Sequence, residues 1–467
     1  MTEPSTTTPI STDQLRAAVA AAFPALRAEL EALVRIPSVS NGEFDQAHVA
    51  ASAAAVAELL RGVGMPEVQI VHSTLPDGGV GAPAVIARRP APDGAPTVLL
   101  YAHHDVQPPG DEGWDTDPFE PTERGGRLYG RGAADDKAGV IAHVGALRVL
   151  ADTLGVGVTV FVEGEEEIGS PTFATFLETY QDLLVADVIV VADSANWRVG
   201  VPGLTTSLRG LVDLEVEVAV LEHAVHSGMF GGPVLDALTL LSRLIATLHD
   251  DAGDVAVAGL VSAPDPVIDY AEAELRADAA MLDGTQLAGT GPLTARLWTR
   301  PALSVLGIDA PSVARASNTI APRASAKLSL RIAPGQDPAA AHAALTAHLH
   351  ANAPFGARVT VTPGDEGRPF KAPADSGAMR AARWAFEQAW GTPPVDIGLG
   401  GSVPFIAQLL DVFPDASILV TGVEDPDSRA HGANESVHLA ELEKVVLAEA
   451  LLLTRLAPRA TTSPRVE

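Results

Sequence analysis

The chain has 467 residues, of which 47% are hydrophobic, and it carries a formal net charge of -28 and no cysteine. This length exceeds what one ordinary hydrophobic core supports and predicts two domains, while the acidic charge argues against binding to nucleic acid or to an anionic membrane surface. Without cysteine, disulfides and thiolate chemistry are excluded, and any metal ion must be bound by His, Asp or Glu.

The sequence shows no segment typical of secretion or of a membrane span. The first residues, MTEPSTTTPISTDQ, lack a basic start and an apolar core. No uncharged apolar run reaches the roughly 20 residues of a transmembrane helix. These observations predict a cytoplasmic protein.

Along the first part of the chain, apolar runs alternate with helical patterns. A helix is expected to be capped by Thr12 and to run to about Ile36, with Pro24 as a point of bending, and a second helix covers about Gln46 to Gly62. Buried strands and further helices are predicted at Val68–Val71, Ala84–Ala87, Val98–Tyr101, Val156–Val162, Val188–Ala192 and Ile418–Thr421, and at Ala138–Leu150 and Thr172–Leu184. Continuous apolar strands separated by helices are typical of an α/β sheet buried on both faces.

The pattern changes after Thr205. The stretches LRGLVDLEVEVAV and ASAKLSLRIAP alternate between apolar and polar residues, as antiparallel strands with one face in water do. Two helices and a further strand are predicted at Val234–His249, Pro338–Ala351 and Arg358–Thr362, while Pro264–Asp309 shows no pattern. The sequence therefore predicts a smaller α+β domain, residues 206–369, inserted into a domain formed by residues 1–205 and 370–467.

Acidic residues and histidines follow the ends of the buried strands. They are His103 and Asp105, then Asp135 and Asp136 in GRGAADDKAG, then Glu163, Glu165, Glu166 and Glu167 in EGEEEIGS, then Asp193, and finally His431 and Glu435 in HGANES. Taken singly, each has an ordinary explanation, such as a surface pair, a solvated helix end or a helix N-cap. Together, five segments bring carboxylates to the sheet edge where α/β proteins bind ligands, and such carboxylates repel each other unless cations neutralise them. The sequence therefore predicts a shared metal site.

Seven stretches of the sequence resemble one family of enzymes. They are AHHDVQP, GRGAADDKAG, EGEEEIGS, HSGMFGG, NTIAPRASAKLSLR, GGSVP and HGANE, and their order and spacing cover nearly the whole chain. They resemble the dinuclear metal-dependent aminoacylase, carnosinase and acetylornithine deacetylase family, and EGEEEIGS and HSGMFGG are most similar to its dipeptidase branch, which is carnosinase-like. The resemblance implies an α/β catalytic domain with a mixed sheet and helices on both faces, plus an inserted α+β domain that serves as a lid and in dimerisation.

The resemblance also implies two divalent metal ions per subunit. His103 and Asp193 would bind one ion. Glu167 and His431 would bind the other, and Asp135 would bridge the two. Zinc is the expected ion, with manganese or cobalt as alternatives, because the ligands offer only nitrogen and oxygen.

Two further carboxylates take part in the implied chemistry. Asp105 would accept a hydrogen bond from the second ring nitrogen of His103 and so fix its tautomer. Glu166 would act as the general base, taking a proton from the attacking water and returning it to the leaving amine. The peptide between Asp135 and Asp136 is expected to be cis.

The remaining implied site residues bind the substrate. His226 would stabilise the tetrahedral oxyanion, reaching in from the partner subunit of a homodimer. Arg331 would bind a substrate carboxylate with Asn318 nearby, and the terminal carboxylate would be lined by the backbone N–H groups of Gly400, Gly401 and Ser402. Without the resemblance, His226 could be a buried histidine and Arg331 a solvent-facing side chain.

The sequence departs from this branch at Gly398, where members often carry an arginine two residues before the glycines of GGS. Three other polar residues of the strand-end segments are expected to be structural or to face solvent, namely His104, Glu163 and Glu165.

Three functions are compatible with these residues. The first is a dipeptidase that acts on a small peptide with a free C-terminal carboxylate, and the second is an N-acyl-amino-acid amidohydrolase that uses the same metals and base. The third is a metal-binding or scaffold relative without activity, which would be expected to lack a ligand or the base, whereas all of them are present. The sequence therefore favours the dipeptidase.

Overall fold

The computed structural model of the protein describes residues 10–75, 78–110, 113–401 and 404–458. Their helices are α1 Thr12–Val34, α2 Ala47–Gly62, α3 Lys137–Leu150, α4 Phe173–Leu184, α5 Ser227–Phe230, α6 Ala237–Ala246, α7 Glu272–Asp278, α8 Leu293–Trp298, α9 Pro338–Ala351, α10 Gly377–Trp390, α11 Pro404–Val412 and α12 Leu439–Leu456. Their strands are β1 Glu67–Val71, β2 Ala84–Arg89, β3 Thr97–His103, β4 Thr122–Arg124, β5 Arg127–Tyr129, β6 Gly157–Glu163, β7 Val188–Val191, β8 Gly203–Leu208, β9 Gly210–Ala219, β10 Val225–His226, β11 Ala302–Asp309, β12 Thr319–Ile320, β13 Arg323–Ile332, β14 Arg358–Gly367, β15 Phe370–Lys371, β16 Val395–Leu399, β17 Ser417–Val420 and β18 Ser436–His438.

The chain forms two compact units. The first unit consists of the described residues among 1–206, 372–397 and 408–467, and the second of those among 207–371 and 398–407. Within the described part of the chain, no helix combines the length and the apolar character needed to cross a membrane.

The first unit is built on a mixed sheet. Its strands follow the order β1-β2-β6-β3-β7-β17, in which β3 is parallel to β6 and β7, and β7 is parallel to β17, while β1 and β2 pair antiparallel. The four consecutive residues from Val98 to Tyr101 in β3 are fully buried. Because successive side chains of a strand point to opposite faces, both faces of this sheet are covered. The predicted mixed α/β sheet is confirmed.

Helix α1 shows how local sequence determines where an element begins. Its N-cap is Ser11, whose Oγ accepts a hydrogen bond from Gln14 N at 3.2 Å while Gln14 Oε1 accepts one from Ser11 N at 2.8 Å. This reciprocal pair needs a glutamine or glutamate three residues after the cap, and Thr12 has Leu15 there. The predicted cap at Thr12 is therefore wrong by one residue. The helix continues through Pro24.

A small antiparallel sheet in the first unit has the order β18-β5-β4. Ser436 pairs with Tyr129 and His438 with Arg127. The backbone N–H of Gly130, just after β5, donates to the carbonyl of Glu435, just before β18, at 3.0 Å. This sheet therefore brings the segment that carries Asp135 beside the segment that carries His431.

The second unit contains an antiparallel sheet of order β11-β13-β9-β14. In β9, Val212, Leu214 and Val216 are buried in a core with leucines of α6 and α9, whereas Glu215 between them is exposed. The predicted antiparallel sheet with one solvated face and helices on the other is confirmed. The region without a sequence pattern, residues 264–309, contains α7, α8 and the edge strand β11, which is exposed from Ser304 to Asp309.

Candidate metal centre

Strand register brings the first group of candidate ligands together. Tyr101 of β3 pairs with Val191 of β7 in parallel. His103 and Asp193 each lie two residues further along, so their side chains reach the same sheet edge. One ligand atom each from His103, Asp135 and Asp193 lies within 4.8 Å of the others. The strand β3 extends to His103, two residues beyond its predicted end.

A second group shares Asp135 with the first. One ligand atom each from Asp135, Glu167 and His431 lies within 4.8 Å of the others. Asp135 Oδ1 is 3.0 Å from His103 Nε2, and Oδ2 is 3.0 Å from His431 Nε2, which is also 3.2 Å from Glu167 Oε2. The two oxygens of one carboxylate thus face two different histidines. The peptide between Asp135 and Asp136 is cis, as the family resemblance implies.

The electrostatics of this cluster favour bound cations. Burial raises the pKa of Asp193 to about 6 and that of Glu166 to about 8, and neighbouring carboxylates add to both shifts while His103 opposes them. Burial also disfavours ionisation of Asp135, but hydrogen bonds with His103 and His431 outweigh it and keep its pKa low. The carboxyl groups at this edge outnumber the two imidazoles, those of His103 and His431. Oxygen and imidazole nitrogen donors grouped around an excess of negative charge fit divalent metal ions.

Asp105 connects the end of β3 to the loop after β6. It is fully buried, and its Oδ1 lies 3.4 Å from His103 Nδ1, whose nearest acceptor is the Asp105 carbonyl oxygen at 3.1 Å. Its two carboxylate oxygens accept hydrogen bonds from the backbone N–H groups of Glu166 at 3.2 Å and Glu167 at 3.0 Å. The Asp105 carbonyl therefore binds the ring of a candidate ligand, while the Asp105 carboxylate fixes the backbone of the candidate base.

Two residues at this edge were not identified from the sequence. Gln107 donates from its backbone N to Glu167 Oε1 at 3.1 Å and from its amide Nε2 to Glu167 Oε2 at 2.8 Å. Glu424 follows β17, and burial, together with the nearby Asp135 and Asp193 carboxylates, raises its pKa well above the usual range. The only signal in the sequence was their position just beyond a buried strand.

The other polar residues of these segments are buried and structural. Glu163 accepts a hydrogen bond from Tyr101 Oη at 2.7 Å. Glu165 accepts backbone hydrogen bonds from Ala82 at 3.0 Å and from Thr172 at 2.8 Å. His104 Nε2 lies 2.9 Å from the carbonyl of Pro83. Of the two roles expected for these side chains, the structure therefore shows the structural one.

The second unit carries the other residues expected in the site, namely His226, Asn318, Arg331, Gly400 and Gly401, while Ser402 lies outside the described residues. His226 pairs with Thr319 in the ladder of β10 and β12, and the Asn318 carbonyl accepts from Ser227 N at 2.9 Å. The His226 side chain is exposed, and its Nδ1 accepts a hydrogen bond from Gly228 N at 3.0 Å. These two residues are therefore neighbours on the surface of this unit.

Arg209 lies beside two of the residues expected to bind a carboxylate. Its Nε donates to the Gly400 carbonyl at 3.0 Å, and burial, with the nearby charge of Arg331, lowers its pKa to about 10. The space at Gly398 is closed, because a Cβ atom there would lie 2.6 Å from Cβ of the buried Trp298. A side chain at Gly398 would therefore require Trp298 to move.

Comparison with known proteins identifies relatives over most of the chain. Residues 99–455 match the peptidase family M20/M25/M40. A cysteinylglycine-S-conjugate dipeptidase of Corynebacterium striatum is 37% identical over 82% of this chain and 85% of its own length, and the Beta-Ala-His dipeptidase of Rattus norvegicus is 30% identical over 82% and 83%. The crystal structure of human carnosine dipeptidase 1 superimposes with a TM-score of 0.73 at 25% identity, covering 96% of this chain and 100% of that one.

Proposed function

Because the chain belongs to the peptidase family M20/M25/M40, we propose that it is a dinuclear metallo-dipeptidase that hydrolyses the amide bond of dipeptides with a free C-terminal carboxylate. The observation that carries this proposal is the pair of ligand groups that share Asp135. The family expected from the seven motifs is confirmed. The similarity to two dipeptidases disfavours the N-acyl-amino-acid amidohydrolase.

The donor set supports an assignment of two ions. We assign His103 and Asp193 to one ion, Glu167 and His431 to the other, and Asp135 to both. Zinc is the proposed ion because it prefers imidazole nitrogen and carboxylate oxygen when cysteine is absent, with manganese or cobalt as alternatives. When bound, the ions would polarise the amide carbonyl and lower the pKa of the attacking water.

Glu166 is the proposed proton carrier of the reaction. Its backbone is held by Asp105, and its partly buried carboxyl group lies near the carboxylates of Asp193 and Glu167. The Glu166 carboxylate takes a proton from the attacking water and returns it to the nitrogen of the leaving amine, so that the base is regenerated in each cycle. Asp105 contributes by keeping His103 and the Glu166 backbone in place.

The second unit supplies the proposed substrate contacts. The Arg331 guanidinium binds the substrate carboxylate, with Asn318 beside it, and the backbone of the GGS segment lines the terminal carboxylate at Gly400, Gly401 and Ser402. Because Nδ1 of His226 accepts a hydrogen bond, its ring proton lies on Nε2, which can donate to a developing oxyanion.

The proposal includes a domain assignment and an assembly. Residues 1–205 and 370–467 form the catalytic domain, although the described residues among 398–407 group with the second unit, and residues 206–369 form a lid that also dimerises, in a cytoplasmic homodimer. His226 then acts in the partner's site. Mixed dimers of His226→Ala and His103→Ala chains should recover part of the activity that each variant lacks alone. No recovery would place His226 in the site of its own subunit.

S-substituted cysteinylglycine dipeptides are the first substrates we propose, because the relative from Corynebacterium striatum is named for them, and β-alanyl-histidine is the second. The test uses metal-stripped protein to which zinc, manganese or cobalt is added separately. Hydrolysis of these two dipeptides is compared with that of N-acetyl and N-succinyl amino acids. Turnover restricted to the acylated amino acids would overturn the dipeptidase assignment.

A further inference from the structure

A buried ion pair joins the segments that carry Asp135 and His431. Arg131 follows β5 and Glu435 precedes β18, so the pairing of these strands brings the two residues together although they lie 304 positions apart. Arg131 Nη1 is 2.5 Å from Glu435 Oε2, and the two side chains are 1% and 0% exposed. Desolvation offsets most of the attraction in so deeply buried a pair, so its other contacts indicate what it does.

The Glu435 carboxylate binds the backbone that leads to Asp135. Its Oε1 accepts hydrogen bonds from Ala134 N at 3.0 Å and from Asp135 N at 3.1 Å, and its Oε2 accepts one from Gly132 N at 3.1 Å. Charge-assisted bonds of this kind are stronger than neutral ones. Glu435 therefore fixes the turn that presents the shared ligand.

Arg131 binds the backbone that carries His431. Its Nη2 donates to the His431 carbonyl at 3.1 Å and, over longer distances, to the carbonyls of Gly432 and Pro108 at 3.4 Å. His431 has a left-handed backbone, with φ of 61°, and its side chain is 59% exposed, so packing gives it little support. The bond from Arg131 anchors this residue to the buried interior.

We propose that the Arg131–Glu435 pair is a positioning device that sets the separation of Asp135 and His431, and thereby the affinity for the ion assigned to Asp135, Glu167 and His431. The inference rests on the proposed function, because it concerns the same two-ion site. Each residue acts on a ligand's backbone and touches no ligand side chain in the contacts described above. Residues that orient ligands in this way contribute about 10- to 100-fold to metal affinity.

The substitution Arg131→Lys separates this positioning role from the effect of charge alone. The guanidinium binds the Glu435 carboxylate through Nη1 and the His431 carbonyl through Nη2 at the same time. An ammonium group is a compact point charge on a flexible chain and does not reproduce this planar fork. Arg131→Lys therefore keeps the charge opposite Glu435 and releases the His431 backbone.

A matched control is Arg127 in β5, which binds the loop between β17 and β18 that also carries His431. Arg127 Nη1 lies 3.0 Å from both carboxylate oxygens of Asp425, and its Nε donates to Ser436 Oγ at 2.8 Å. The two side chains are 11% and 0% exposed. This pair joins β5 to the same loop, but the bonds described for Arg127 reach no assigned ligand. Arg127→Lys therefore reports the effect of loosening the loop without touching the ligands.

The experiment titrates zinc into metal-stripped, full-length protein and measures calorimetrically how much binds and how tightly. Wild type and Arg127→Lys should bind two ions per subunit. Arg131→Lys should bind one ion normally and the second about 10- to 100-fold more weakly. The kcat of Arg131→Lys for an S-substituted cysteinylglycine dipeptide should fall at limiting zinc and recover in excess zinc, with KM little changed. Without metal, the thermal unfolding midpoints of Arg131→Lys and Arg127→Lys should lie below that of the wild type by similar amounts.

Wild-type affinity for both ions in Arg131→Lys would overturn the inference, and so would an equal loss of the second ion in Arg127→Lys. If Arg131→Lys does not fold, Glu435→Gln serves instead, because it keeps the shape and removes the charge that holds the turn, and it should also lose affinity for zinc. A wild-type enzyme that hydrolyses dipeptides but binds no zinc, manganese or cobalt would overturn the two-ion assignment itself, which is a different result.

Discussion

The two ligand groups that share Asp135 are built in different ways. In the first, His103 ends a central strand and is fully buried, and Asp193 follows the neighbouring strand, so sheet register alone brings them together. In the second, Glu167 lies in a single turn of 3₁₀ helix, Glu166–Ile168, and the His431 side chain is exposed on a loop. The buried strands position His103 and Asp193 of the first group. The second group depends on hydrogen bonds that other side chains donate to Glu167 and to the backbone of His431.

This difference indicates where the site is most easily disturbed. A strand in the middle of a sheet opens only when the domain unfolds, but loops open at lower free energy. The second group is held by Gln107, which binds the Glu167 carboxylate, and by Arg131, which binds the His431 backbone. Substitutions that spare the core should therefore affect one ion more than the other.

The largest expected effect separates ion binding from proton transfer. Glu166→Gln removes the proposed base but belongs to neither ligand group, so both ions should remain bound. Turnover should fall by about 10²- to 10⁴-fold, because a positioned general base contributes that much. Steady-state kinetics and elemental analysis of the same preparation test this. A variant with near wild-type kcat would exclude Glu166 as the base, and one that loses an ion would make it a ligand.

The sequence predicted the first group better than the second. Val98–Tyr101 is an unbroken apolar run, and such runs mark buried strands whose polar ends line a sheet edge. That reasoning placed His103 and Asp193 at the same sheet edge from the residues alone, although their assignment to one ion came from the family resemblance. For His431 it gave only a histidine in a loop, and the pairing with Glu167 came from the family resemblance.

The elements that support the second group left no local signal. Strands β4, β5 and β18 have three residues each, too few to show a period of two. Arg131 and Glu435 are 304 positions apart, so nothing near either residue indicates its partner. In the second unit, β11 shows no alternation in the sequence, because six of its eight residues are exposed. Tertiary contacts determine all of these features.

An intermediate effect should appear when the support of the second group is removed. Gln107→Leu takes away the amide that donates to Glu167 Oε2. One ion should then bind about 10- to 100-fold more weakly, as for other groups that orient a ligand. Tyr101→Phe is the control on the side of the first group, because it removes a buried hydrogen bond to Glu163, which is not an assigned ligand. It should lower stability and leave both zinc affinities unchanged, and equal weakening in both variants would contradict the proposed difference.

The smallest expected effect concerns the contacts between α3, α12 and β3, the strand that carries His103 of the first group. His143 of α3 lies 2.9 Å from both Glu449 oxygens of α12, and its Nε2 is 3.0 Å from the Tyr101 carbonyl of β3. Burial opposes charge on His143, but the Glu449 carboxylate outweighs it and raises the pKa above its usual value. A raised folded-state pKa stabilises the protein fully below the unfolded pKa, about 6.5, and this contribution is lost as the pH rises through the folded pKa.

Glu449→Gln removes that charge while keeping an acceptor for the ring. The free energy of unfolding should fall by about 1 to 3 kcal/mol at pH 6, because a hydrogen bond to a charged group is lost, and the difference from wild type should shrink as the pH increases to 9. Urea unfolding of the two metal-free proteins at several pH values measures this difference in the free energy of unfolding. Because this pair braces the strand that ends at His103, a deficit that stays the same from pH 6 to pH 9 would show that the imidazole is uncharged and that the brace does not depend on its charge.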